Sequence, residues 1–229
     1  MAIKLIAFDY DGVIPVEEAP LYLFTKLGKK AQSDELAKEF YSGLAGAKNE
    51  WERDAVPSNV WKKSFALYQQ FPVRKLKKTV EGLEFIKGAK EIFNYCGRKG
   101  IRTAILSATI RPILAWSLSK HNIEPDELIA SECTIKNGRL ERLTMVNSPL
   151  AKRNALKKML RKYKIRPSEC LAVGDSFSEI PMFELVGKDN SVAFNYQQDL
   201  QKHCSHLLFK QGDPGRDLRA IIEIIENKK

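Results

Sequence analysis

Residues 3–13 read IKLIAFDYDGV, and the reading of this stretch decides the fold. Ile3 to Phe8 is an apolar run of strand length that stops at two carboxylates, Asp9 and Asp11, followed by Gly12. In an extended chain the side chains at i and i+2 point the same way, so Asp9 and Asp11 can converge on one point. Convergent carboxylates suit a hard divalent cation, which takes oxygen ligands. One carboxylate can also attack phosphorus while the other moves a proton. The same residues fit a strand that merely ends in an Asp-Gly turn, so partners elsewhere in the chain must decide.

Working outward, strand-like runs recur with helical patterns between them. Arg102 to Leu106 follows a helix-like stretch, Ala89 to Lys99, that Gly100 ends. Glu169 to Val173 follows a basic helical stretch and Pro167-Ser168, and Ser191 to Phe194 and His206 to Phe209 are shorter candidates. Leu218, Ile221, Ile222 and Ile225 give the C-terminal stretch a helical period. Strand alternating with helix predicts an α/β protein: a Rossmann-like three-layer α/β/α core around a mainly parallel sheet. Asn137-Gly138, inside Cys133 to Met145, predicts a two-residue hairpin. The alternation breaks between Ile14 and Leu83. There Glu17 to Leu27, Ser33 to Leu44 and Asn59 to Gln70 read as helices, with Ser33 as an N-cap and Gly28, Gly43, Gly46, Pro57 and Pro72 as breaks. The expected organisation is therefore a core of residues 1–14 and 84–229, with a helical cap of residues 15–83 inserted after the first strand.

Composition narrows the function classes. The chain has 229 residues and an ordinary hydrophobic fraction of 44%, and no apolar run approaches the roughly 20 residues of a membrane span. The N-terminus reads as a core strand rather than a signal peptide. Cys96, Cys133, Cys170 and Cys204 are widely spaced without a CxxC pair, which argues for reduced thiols in a cytoplasmic protein. The formal net charge of +10 would attract anionic ligands. Its densest source, Lys152 to Arg166, carries eight Lys or Arg and no acid, but Leu156, Met159, Leu160 and Tyr163 give it one buried face. That pattern is a solvated helix face rather than a nucleic-acid stripe, and no nucleic-acid-binding signature accompanies it.

In open α/β sheets ligands bind beyond the carboxyl ends of the strands. Ser107 follows the second strand, where a hydroxyl and the free N–H groups of a helix start can hold phosphate oxygens. Gly174, Asp175, Ser176 and Glu179, in GDSFSE, follow the third. Asp175 can complete a cation site with Asp9 and Asp11, and Glu179, one helical turn on, can face the same centre. Lys152 offers a positive charge for an attacked phosphate. Each feature alone has an ordinary structural reading.

Together, DYDGV, Ser107, Lys152 and GDSFSE stand in the order of the four motifs of the haloacid dehalogenase superfamily, and the chain resembles that family over most of its length. The helical insert looks like the family's type 1 cap, and GDSFSEIPMF is similar to its phosphoserine phosphatase-like branch. The resemblance implies a phosphatase that uses Mg2+ on a small phosphorylated metabolite, as a monomer or homodimer. It implies Asp9 as the nucleophile that forms an aspartyl-phosphate and Asp11 as the acid/base. It implies Asp9, Asp11 through its carbonyl, Asp175 and Glu179 around the metal, and Ser107 and Lys152 on the phosphoryl oxygens. Lys152 and the metal together should then keep Asp9 ionised, and Asp11 should titrate well above it. Glu18 and Arg53 stand where that branch binds the substrate's amino and carboxyl groups. Two departures bear on the substrate. Ala108 and Thr109 replace the glycines that follow the serine, and Ser178-Glu179 replaces Asn-Asp. Transfer of the phosphoryl group to an alcohol, or a regulatory protein that keeps only the fold, remain open alternatives at this point.

Overall fold

The structure, a computed structural model, describes residues 2–228 except 47, 146 and 197, without the side chains of residues 41, 44, 45, 50, 51, 53, 57, 198 and 199. Strand β1 (Leu5–Phe8) lies at the centre of a seven-stranded sheet. On one side follow β2 (Arg102–Ile110), β3 (Glu127–Lys136) and β4 (Arg139–Met145). On the other follow β5 (Cys170–Gly174), β6 (Ser191–Tyr196) and β7 (His206–Lys210). All pairs are parallel except β3 with β4, which form the hairpin predicted at Asn137-Gly138. Phe8 is level with Ile105 on β2 and with Val173 on β5. The sheet order thus reverses at β1, and the residues after these three strands share one edge. Such a switch point opens a crevice between diverging connections.

Alternation along β1 builds the three layers. Ile6 and Phe8 join one apolar cluster with α5 (Ala89–Lys99), α6 (Arg111–Lys120) and α9 (Ala220–Glu226). Leu5 and Ala7 join the other with α7 (Pro149–Tyr163) and α8 (Ile180–Val186). The buried side of α7 includes Leu156, Met159 and Leu160, as its period predicts. The helix begins at Pro149 behind the N-cap Ser148, so Lys152 lies one turn inside it rather than opening it.

Between β1 and α5 the chain forms α1 (Ala19–Lys26), α2 (Lys30–Gly46), α3 (Glu50–Tyr68) and α4 (Val73–Val80). It leaves and returns through an antiparallel neck: Val16 N–H donates to Glu84 O at 2.9 Å and Ile86 N–H to Ile14 O at 2.9 Å. Leu23, Phe24, Phe65, Tyr68 and Leu76 extend one core cluster into this insert. Several predicted boundaries move. Ser33 is not an N-cap but an interior residue of α2, its N–H bonded to Lys29 O at 3.0 Å. Gly43 does not break α2. A Cβ there would come within 3.0 Å of Val56, so the glycine lets α2 and α3 approach closely. Helix α3 starts nine residues before Asn59, capped by Asn49, whose Oδ1 accepts from Glu52 N–H at 2.9 Å. It runs through Pro57. A proline removes one helical hydrogen bond, a loss of about 3 kcal/mol. Burial of Phe65 and Tyr68 offsets it. Helix α4, absent from the sequence reading, starts at the N-cap Pro72.

Candidate active site

The DYDGV stretch splits its side chains as a strand end should. Asp9 and Asp11 turn to a cavity of about 450 Å³, whose walls include the insert and the edge of the sheet. Tyr10 turns into the core, its hydroxyl 2.5 Å from Ser117 Oγ. Asp9 N–H donates to Val173 O at 2.8 Å, which ties β1 to β5 where the Asp9 side chain emerges. Gly12 has φ +78°, and a Cβ there would sit 2.1 Å from Asp175 Oδ2. Gly174 is similarly crowded, with a Cβ falling 2.1 Å from Glu179 Cγ. Both glycines therefore let backbone approach the acidic side chains.

Asp9, Asp175 and Glu179 are buried and offer carboxylate oxygens within 4.8 Å of one another. Lys152, 2% exposed, reaches them from α7, with Nζ 2.8 Å from Asp9 Oδ1 and 2.9 Å from Glu179 Oε1. Glu179 is not a turn into a helix, as its spacing suggested. It ends a 3-10 turn, Phe177–Glu179, that precedes α8, and it accepts from Ser176 N–H at 3.2 Å in a capping box. One cation facing three buried carboxylates leaves surplus negative charge. Oxygen donors with surplus charge fit a hard divalent cation such as Mg2+.

The Asp11 carboxyl stands apart from that cluster. Its Oδ1 accepts from Ala19 N–H at 2.7 Å, and its Oδ2 accepts from Thr109 Oγ1 at 2.6 Å and from Ser107 Oγ at 3.5 Å. Ser107 is not beyond the strand end. Strand β2 runs on to Ile110, its register with β3 shifting between Leu106 and Ile110. The irregular segment puts Ser107 on the cavity wall and lets its Oγ accept from Thr109 N–H at 3.0 Å. Glu18 lines the cavity just before α1, open to it by area but surrounded by protein. Arg53 lies on α3, and its side chain is outside the described residues.

Electrostatics without a cation bear on one expectation. Burial, then the Glu179 charge, push Asp9 well above the usual carboxylate range, and Lys152 pulls only part of the way back. Asp175 is raised well above that range by burial, Glu179 and Asp9. Asp11 is also raised by burial, against its hydrogen-bond donors. An ionised Asp9 far below Asp11 is thus not the state of the cluster without a cation. Burial opposes the charge of Lys152, but Asp9 and Glu179 outweigh it and its pKa rises. Glu179 is lowered despite burial, through Lys152 and Ser178. Glu18 is pushed to about 7 by burial and by Asp11.

Sequence reasoning missed four residues. Thr109 was visible, since it lies two positions from Ser107 on a strand. Asn147 donates through Nδ2 to Ser107 O at 3.0 Å, and Asn195 through Nδ2 to Gly12 O at 2.9 Å. Asp54, on α3, accepts from Ser148 Oγ at 2.9 Å and from Leu150 N–H at 2.8 Å, at the start of the lysine-bearing helix. These three carry no local signal.

A parallel sheet reversing at β1, with an Asp-x-Asp at that strand's end and a lysine-bound acidic cluster beside it, defines a class of hydrolase. The sequence model of the haloacid dehalogenase-like hydrolases matches residues 6–184, and the chain belongs to that family. It is 25% identical over 227 residues to the phosphoserine phosphatase of Methanocaldococcus jannaschii, covering 97% of this chain and 98% of that protein. It is 21% identical to the phosphoserine phosphatase of Halobacterium salinarum, covering 93% and 96%. The fold superposes on a haloacid dehalogenase family hydrolase from Salmonella enterica serovar Typhi with a TM-score of 0.82, at 18% identity, covering 98% of this chain and 72% of that one. No helix among the described residues is long and apolar enough to cross a membrane.

Proposed function

We propose that this chain is a Mg2+-dependent phosphomonoesterase that hydrolyses a small phosphorylated metabolite through a phosphoryl group carried on Asp9. The observation that carries the reading is Lys152 Nζ at 2.8 Å from Asp9 Oδ1, inside a buried acidic cluster that opens on one cavity with Asp11. An Asp9 oxygen attacks phosphorus, the bond from phosphorus to the ester oxygen breaks, and Asp11 gives the departing alkoxide its proton. Water then attacks the aspartyl-phosphate, Asp11 takes the proton back, and inorganic phosphate leaves with Asp9 restored. Burial raises Asp11, which suits a group that must hold a proton near neutrality. Thr109 and Ala19 N–H fix its orientation. Lys152 and Ser107 bind the phosphoryl oxygens. Asp9, Asp175, Glu179 and the Asp11 carbonyl would hold the cation, which offsets charge on the phosphoryl group and on the acidic cluster.

Residues 15–83 act in this reading as a cap that closes over the cavity and keeps bulk water from the aspartyl-phosphate. The chain's relatives named phosphoserine phosphatase support a phosphomonoester substrate. The test is release of inorganic phosphate from acetyl phosphate with Mg2+. Wild type turns it over, chelator abolishes turnover, and Asp9→Asn is inactive. Undiminished activity in Asp9→Asn would refute the mechanism.

A further inference from the structure

The wall facing the acidic cluster is apolar. Leu21, Phe24, Leu36, Phe40, Val60 and Trp61 line the cavity from helices α1, α2 and α3. Leu21 leaves 36% of its surface uncovered, and Phe24 stacks on Tyr68 with centroids 4.6 Å apart, so the wall is anchored in the core. Charge on the lining is one-sided. Lys152 is the single cation among the described lining residues, and its ammonium already contacts Asp9 and Glu179. The carboxylates of Glu18 and Asp34 share the wall with the apolar side chains, and Asp34 is paired to Lys30 at 2.7 Å. Ser64, one turn after Val60, is buried and lines the cavity.

A leaving group that carries its own carboxylate would find no cation but Lys152 among the described lining residues, and would lie next to Glu18. An unpaired anion taken out of water is strongly disfavoured. An aromatic or branched apolar group would instead displace water from Trp61, Phe40 and Leu36. A cavity of about 450 Å³ has room for such a group beside the phosphate.

We infer that the substrate is a phosphate monoester whose leaving group is apolar and free of carboxylate, aryl phosphates being the simplest members, and that the chain does not select phosphoserine. The inference rests on the phosphomonoesterase reading and names the substrate class of that site. Trp61 and Phe40 are then specificity-determining residues.

The experiment measures binding of 2-naphthyl phosphate and of phosphoserine to Asp9→Asn with Mg2+ by calorimetry, so that turnover does not intervene. The expected result is at least about tenfold tighter binding of 2-naphthyl phosphate, the scale of one well-formed apolar contact. In Asp9→Asn/Trp61→Ala and Asp9→Asn/Phe40→Ala the ratio of the two affinities should shrink. Circular dichroism and a thermal melt establish that each variant is folded. Equal or tighter binding of phosphoserine overturns the inference. So does a selective collapse of phosphoserine binding in Asp9→Asn/Arg53→Gln, which would identify a cation for the carboxylate. Wild-type turnover of acetyl phosphate reports on the Asp9 chemistry alone. A chain that turns it over but favours phosphoserine refutes only the leaving-group assignment. One that favours 2-naphthyl phosphate without turnover refutes only the catalytic reading.

Discussion

Asp175→Asn should make the metal-free protein more stable while removing its response to Mg2+. Asp175, Asp9 and Glu179 hold carboxylate oxygens within 4.8 Å of one another, and the single ammonium of Lys152 contacts the other two, not Asp175. Two unit charges at that separation repel by about 3.5 kcal/mol at an effective dielectric of about 20. Asp175 faces two such charges and one more distant cation, so roughly one repulsion is uncompensated. Uptake of a proton limits the penalty. The Asp175 carboxyl is raised well above its unfolded value by burial first, then by Glu179 and Asp9. A carboxyl raised on folding binds its proton more tightly in the native state. Its ionisation therefore opposes folding as pH rises from the unfolded value of about 3.9 through the raised native one. A neutral amide removes that opposition. The expected gain near neutral pH with chelator is about 2 kcal/mol, or roughly 4–8 °C in Tm for a chain of this size. Wild type should recover a similar amount by binding Mg2+, about 2.7 kcal/mol at a hundred times Kd, whereas the variant should not. Thermal melts of both proteins in chelator and across a Mg2+ titration measure this. A variant that melts lower than wild type in chelator and still gains stability from Mg2+ would refute the reasoning.

Asp54→Ala removes two hydrogen bonds between the insert and the start of α7, from Ser148 Oγ and Leu150 N–H. Bonds to a charged acceptor at a helix N-terminus are worth about 2 kcal/mol together, so Tm should fall by roughly 4–8 °C, with Asp54→Asn in between. An unchanged melt of the alanine variant would show that this contact contributes nothing to stability. Glu169 accepts from Arg166 and Lys4, and those hydrogen bonds lower its carboxyl to about 2. A carboxyl lowered on folding contributes stability that is fully present above its unfolded value of about 4.5 and lost as pH falls towards about 2. Acid titrations of stability should therefore be shallower for Glu169→Gln than for wild type in that window, and superimposable curves would contradict the assignment.

What the sequence made legible was the part of the site held by short-range order. Asp9 and Asp11 follow from strand alternation, and Asp175 stands at the end of a strand that pairs with β1. The sheet, its hairpin and its buried helix face were readable for the same reason, since alternation and helical period are local properties. The insert was harder, because its boundaries depend on tertiary contacts. Gly43 reads as a breaker until Val56 packs on it, and Pro57 reads as a stop until the rest of α3 is anchored in the core.

The same division bears on the chemistry of Asp9. Lysine beside an aspartate suggests a lowered pKa. The sequence does not state that Glu179 shares the same ammonium, or that all three groups are buried. Once they are, the desolvation of Asp9 exceeds what Lys152 returns, and its carboxyl stays raised above the usual range. In the proposed mechanism cation binding and nucleophile activation would be one event, because the charge that relieves Asp175 and Glu179 would also act on Asp9. Such an ordering would make the cluster less reactive towards a substrate that enters without a metal. On the proposed reading, leaving-group recognition would fall to the opposite wall, where Trp61 and Phe40 line the cavity.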